Sequence, residues 1–188
     1  DKLGILGTQL NSLNETGTVY SANPPQKLLS RLLEHYQNGR LGDAENLALS
    51  ITRDYPNHNF SWMILGAVFK AIDRNTEALN ANQIAVELSP QDPEAHSNLG
   101  VTLQELGRLN EAEVSLRQAI VLKPNYPEAH NNLGNALKEQ GRLDEAEASY
   151  MQAIALKPGY ANAHSNLGAT LQELGRLGEA EASYIQAI

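Results

Sequence analysis

His96, His130 and His164 stand 34 residues apart. Recurring imidazoles are the residue type that metal binding and proton transfer use most, so they are the first candidates for chemistry. The second candidates are carboxylates: Glu111 and Glu113, Glu145 and Glu147, and Glu179 and Glu181 recur at the same interval. Paired carboxyls of this kind serve general acid–base catalysis when one of them is held protonated. A third set is asparagine: Asn98, Asn132 and Asn166 share one phase, and each carboxamide offers both donors and an acceptor. Which of these sets acts together depends on the elements that carry them.

Those elements follow a period. Pro93 to Tyr126 and Pro127 to Tyr160 are identical at 23 of 34 positions, a third copy begins at Ala161 and runs to Ile188, and weaker copies occupy Asn59 to Asp92 and Pro25 to His58. Each copy reads as two helices. In the third unit Asp92 is placed to cap the first helix with Pro93 at its first position, where a missing N–H costs nothing. An apolar stripe follows at Ala95, Leu99, Leu103 and Leu106. Gly107 is expected to end that helix in the left-handed conformation. Asn110 with Glu113 looks like a capping box opening the second helix, which carries Ala112, Leu116, Ala119 and Ile120 inward and stops before Pro124. The fourth unit restates this with Gly141, Asp144, Glu147 and Pro158.

Small residues recur where the two helices of a unit must approach: Gly66, Gly100, Gly134 and Gly168 on the first helix, and Ala78, Ala112, Ala146 and Ala180 on the second. A glycine inside a helix costs roughly 1 kcal/mol relative to alanine, so four at one phase imply packing that a side chain would obstruct.

This geometry removes the first two chemistries. Packed helices lie about 8–10 Å apart and each unit adds two, so equivalent histidines are too distant to share an ion bound at about 2 Å. The imidazoles are expected to fill interhelical slots; His35 and His58 have no partner pattern. The glutamates fall in first helical turns, where they complement the helix dipole. No phosphate-binding glycine loop, nucleophile elbow or HExxH helix is present, and with no cysteine there is no thiolate chemistry. The sequence reading is therefore of a chain with no catalytic residue, metal site or cofactor.

Composition agrees. Aromatic residues are 5% and the net charge is −8, which disfavours nucleic acid as a partner. The longest apolar run, Trp62 to Phe69 interrupted by Gly66, is far too short to span a membrane, and no signal-peptide pattern opens the chain. A cytoplasmic location is expected. Asn14-Glu15-Thr16 fits a glycosylation acceptor by coincidence.

The phased pattern Leu99-Gly100, Leu103, Gly107, Ala112, Leu116, Ala119 and Pro124 resembles the tetratricopeptide repeat (TPR). The resemblance covers about Pro25 to Ile188. It implies an all-α, right-handed superhelical solenoid of antiparallel helix pairs, with first helices lining a concave face. The expected organisation is an irregular or short helical arm at 1–24 (with Leu3, Leu6, Leu10 and Leu13), a divergent cap-like unit at 25–58, full units at 59–92, 93–126 and 127–160, and an incomplete unit at 161–188. Departures are informative. Histidine replaces the family's usual aromatic in the three best units, though Trp62 keeps it. In the first unit Leu32 replaces the helix glycine and Arg31 the leucine. In the second, Asp73 and Asn75 replace the turn glycine and the following leucine, so that turn is expected to be distorted.

The same resemblance implies a protein-binding scaffold that holds an extended polypeptide. Placed on the concave face, Asn98, Asn132 and Asn166 would form a ladder reading peptide backbone, a feature similar to the groove asparagines of O-GlcNAc transferase repeats. Solvated asparagines without a ligand are the competing reading. Around the ladder, Val101, Asn131, Asn135, Lys138 and the apolar Met63 and Ile64 would set preference among peptides. Only Lys70 and Lys138 are cationic there, which excludes the carboxylate-clamping specialisation of heat-shock co-chaperones. Two other readings stay open: the docking arm of a larger transferase, and self-assembly into a homo-oligomer through the last helix, at Tyr184, Ala187 and Ile188.

Overall fold

The computed structural model describes residues 23–187. The arm proposed at the N-terminus, the Asn14 sequon and Ile188 lie outside them, apart from Asn23 and Pro24. Ten α-helices follow one another in the described residues, with no strand among them: α1 (Gln26–Gln37), α2 (Leu41–Asp54), α3 (Asn59–Ala71), α4 (Asn75–Leu88), α5 (Pro93–Glu105), α6 (Leu109–Leu122), α7 (Pro127–Glu139), α8 (Leu143–Leu156), α9 (Ala161–Glu173) and α10 (Leu177–Ile185). Each helix packs on the next. The backbones of successive odd-numbered helices also approach one another closely, while those of even-numbered helices do not. The stack therefore curves toward the odd-numbered helices, which form its concave side.

Five turns inside the helix pairs are built alike. Gly39, Gly107, Gly141 and Gly175 take φ between 69° and 77°, and Asp73 joins them at 59°. The amide after each donates to a carbonyl five residues back, as Arg108 N does to Leu103 O at 2.9 Å and Arg74 N to Phe69 O at 2.8 Å. The expected distortion at Asp73 is thus absent, because aspartate tolerates the left-handed conformation better than most residues.

Asp92 caps α5 as expected, its carboxylate accepting from Glu94 N at 2.9 Å and Ala95 N at 3.4 Å. Its other oxygen accepts from Asn59 Nδ2 at 2.9 Å, tying the cap to the preceding pair. The second helices do not use capping boxes. α6 and α8 begin at Leu109 and Leu143, so Asn110 and Asp144 lie inside the first turn and cap nothing.

Glu113 and Glu147 instead face the following pair: Arg142 Nη1 reaches Glu113 and Arg176 Nη1 reaches Glu147, both at 2.6 Å. Arg74 and Glu45 repeat the contact at 2.5 Å. The helix dipole alone had suggested no such role. The run is broken once, where Leu79 replaces the carboxylate and packs against the neighbouring apolar core.

The four helix glycines are covered by side chains one turn beyond the expected alanines. A Cβ on Gly134 would sit 2.5 Å from Tyr150 Cε1, one on Gly100 2.6 Å from Leu116 Cγ, and one on Gly168 2.8 Å from Tyr184 Cε1. Asn82 covers Gly66 in the same way. Ala78, Ala112, Ala146 and Ala180 are buried beside them. In the first pair the sizes are exchanged: Leu32 takes the glycine's place, Ala48 takes the large residue's place, and both are fully buried. Leu32 is therefore a compensated swap within an ordinary helix pair.

Candidate functional site

The histidines are structural. His96, His130 and His164 each donate Nε2–H to the carbonyl of the proline six residues earlier, at 2.9, 3.0 and 2.8 Å. Trp62 donates Nε1–H to Pro56 O at 2.8 Å in the same position. Histidine thus replaces the aromatic residue by keeping its N–H donation in a smaller ring. No group of three or more His, Cys, Asp or Glu able to hold a metal occurs among the described residues.

The asparagines sit on the concave side, but not in equivalent states. Asn98 and Asn132 line a cavity of about 300 Å³ formed mainly by α3, α5 and α7. Among the described residues neither carboxamide is engaged in a hydrogen bond. Asn166 is committed: its Nδ2 donates to Asn131 Oδ1 and to Asn135 Oδ1, both at 3.0 Å. Asn135 Oδ1 also accepts from the Tyr150 hydroxyl at 2.8 Å. Burial pushes the Tyr150 hydroxyl well above the usual tyrosine range.

Several residues expected around these asparagines are placed differently. Met63 is 7% exposed and packs with Ala85 and Ala95, and Asn131 is 5% exposed beneath Asn166. Both lie where one odd-numbered helix presses on the next, so they are interface residues, not open groove. Ile64 is half-buried against the core of the first two pairs. Val101 is half-buried and lines the cavity. Lys138 Nζ is 2.9 Å from Glu173 and Lys70 Nζ 3.4 Å from Glu105, while Gln104 donates to Glu139 at 2.6 Å. These rungs join the second unit to the third, the third to the fourth and the fourth to the fifth along the groove edge, so its two cations are already paired. Sequence spacing missed the rungs because partners 35 residues apart meet only once units stack.

The outer flank carries two apolar hollows in register, of about 380 and 390 Å³. Ile120, His130, Leu133 and Ala148 line one, and Ile154, His164, Leu167 and Ala182 line the other. No described helix is long and apolar enough to cross a membrane.

Comparison with known proteins bears on the fold. No curated protein matches the chain. The crystal structure of PilW, described as a widely conserved type IV pilus biogenesis factor, is 21% identical with a TM-score of 0.81, over 86% of this chain and 75% of that one. MamA from Desulfovibrio magneticus RS-1 is 16% identical with a TM-score of 0.74, over 86% and 92%. YrrB, described as a TPR protein with an unusual peptide-binding site, is 22% identical with a TM-score of 0.67, over 90% and 86%. At these identities the likeness shows the fold alone. A family model of the TPR repeat matches residues 66–107, 103–141 and 134–175, more than half of the sequence. With that match, and with helix pairs stacked at the same period, the chain belongs to the tetratricopeptide-repeat family.

Proposed function

We propose that this chain is a protein-binding scaffold that holds an extended polypeptide on its concave face through Asn98, Asn132 and Asn166. The observation that carries the proposal is that the Asn98 and Asn132 carboxamides line one concave cavity and, among the described residues, are engaged in no hydrogen bond. A polar group in that state gains from a partner that supplies both a donor and an acceptor, as a peptide unit does. Asn166 would join by exchanging its bonds to Asn131 and Asn135 for bonds to the ligand. The peptide-binding site in the description of YrrB, a protein of the same fold, supports the class of ligand.

Because the contacts are to backbone, sequence preference would come from the walls, where Val101 and Ile64 are the accessible apolar groups. The test is calorimetric titration of peptides captured by the wild-type chain against the variant carrying Asn98→Ala, Asn132→Ala and Asn166→Ala. Loss of about 2–4 kcal/mol of binding energy is expected, from about 0.5–1.5 kcal/mol per hydrogen bond added approximately. Undiminished affinity in a variant that stays folded would move the binding surface elsewhere.

A further inference from the structure

Asn82, Leu116, Tyr150 and Tyr184 recur every 34 residues, and each covers the helix glycine of its own pair. Their reach differs. The Tyr150 ring passes over Gly134 and its hydroxyl arrives at Asn135, the next residue along α7. Asn82 stops over Gly66, and the counterpart of Asn135 is Ala67, which cannot reach back. The room that a tyrosine takes in the α7–α8 pair is thus left open between Asn82 and Ala67. There the concave cavity of about 300 Å³ lies, with Gly66, Ala67, Asn82 and Val101 in its walls.

The chemistry of that wall is specific. Asn82 is 2% exposed, and its Nδ2 donates to Thr102 Oγ1 at 2.9 Å, whose hydroxyl donates on to the Asn98 carbonyl at 3.0 Å. Asn82 Oδ1 is shielded from solvent and accepts no hydrogen bond among the described residues. An unpaired buried acceptor is a standing cost that an inserted donor removes, and the terminal torsion of asparagine is soft enough to present it. The charged groups bordering the cavity are already committed: Lys70 lies 3.4 Å from Glu105, and Glu128 lies 3.3 Å from Lys157. A charged side chain entering would lose hydration and find no free counter-charge. An apolar one would leave Oδ1 unpaired.

We propose that this cavity is a side-chain pocket which selects, from the extended polypeptide bound on the concave face, a neutral hydrogen-bond-donating residue such as glutamine. The inference rests on the scaffold reading above. Asn82 is its specificity-determining residue, and it acts where the other pairs fill the same room with their own side chains.

The test uses the full chain and blocked, fluorescein-labelled decapeptides of glycine and alanine carrying one central Gln, Met, Glu or Lys, read by fluorescence anisotropy. Gln and Met are nearly equal in length and differ in the donor. The Gln peptide should bind about three- to tenfold more tightly than the Met peptide, with Glu and Lys no better than Met. In Asn82→Leu, which copies Leu116, the Gln advantage should fall below about twofold while both peptides still bind. If that variant does not fold, Val101→Phe narrows the cavity from its rim and should give the same loss. Equal binding of Gln and Met peptides to the wild type overturns the pocket and leaves the scaffold reading intact. So does a Gln advantage that survives in the folded variants. Binding of no peptide at all overturns the scaffold reading and the pocket with it.

Discussion

Exchanging Gly134 and Tyr150 for the pair found in the first unit tests the packing rule directly. Gly134→Leu alone drives a side chain into a fully buried ring, since even a Cβ would lie 2.5 Å from Tyr150 Cε1 and 2.8 Å from Cδ1 and Cζ. Overpacking of this kind costs about 1–3 kcal/mol, offset by up to about 1 kcal/mol from relieving glycine in a helix. Tyr150→Ala alone empties the site and removes one of the two hydrogen bonds to Asn135 Oδ1, at about 3–5 kcal/mol. The double variant reproduces the arrangement of Leu32 over Ala48, where the large residue sits on the first helix. It should therefore lose at least about 2 kcal/mol less than the two single losses added together, within the coupling range for residues that share a space. Urea denaturation followed by far-ultraviolet circular dichroism measures the three variants. Hydrogen exchange of α7 and α8 amides localises the effect, since stacked repeats need not unfold as one unit. Simple additivity would refute the idea that the two positions compete for one volume.

Other expectations follow from single contacts. Asp92→Ala should cost about 1–2 kcal/mol in thermal or urea unfolding, because it removes the α5 cap, whereas Asn110→Ala should stay within about 0.5 kcal/mol because Asn110 caps nothing; equal losses would contradict the assignment. His130→Phe should lose about 0.5–1.5 kcal/mol with the bond to Pro124, and His130→Trp should lose less, as Trp62 already serves that role; melting curves decide. Stability should also fall in acid. Burial raises the Glu113 carboxyl, but hydrogen bonds from Arg142, Arg117 and Gln140 outweigh it and hold the group below its ordinary value; Glu145 and Glu179 are held down by Arg142 and Arg176. Groups depressed in the folded state contribute stability above the unfolded value, about 4.3 for glutamate, and lose it as pH falls through the lower folded value. A pH series should show a plateau above about pH 5 and a decline below about pH 4, flatter in Arg142→Gln; an unchanged profile in that variant would mean the ion pairs contribute nothing.

How much of this was legible in the sequence depends on the range of the interaction. The helix pairs, the left-handed Gly107 and the Asp92 cap rest on signals within a few residues, and the sequence carried all three. Asp73 misled because its turn was judged by the missing glycine, although aspartate can take the same backbone conformation. Asn110 with Glu113 misled in the opposite direction: the spacing of a capping box was present, but the cap position falls two residues earlier, at Arg108, and Glu113 is drawn to Arg142 of the next pair. The compensation of Leu32 by Ala48 was readable from aligned units, yet only the packing shows that the two share one space. The differing states of Asn98, Asn132 and Asn166 were not readable, because three identical residues at one phase acquire different neighbours: Asn166 bonds to Asn131 and Asn135, whereas the residues standing at those positions one unit earlier, in the cavity that Asn132 lines, are Ser97 and Val101.

The central claim is that an extended polypeptide lies on the concave face. Side-chain carboxamide resonances of Asn98 and Asn132, followed by nuclear magnetic resonance while an unstructured polypeptide is titrated into the labelled chain, test it most directly. Shifts are expected in those two carboxamides and in amides of α3, α5 and α7, with Ile120, Ala148, Ile154 and Ala182 of the outer hollows unmoved. Shifts confined to the outer hollows, with both carboxamides unchanged at saturation, would contradict it.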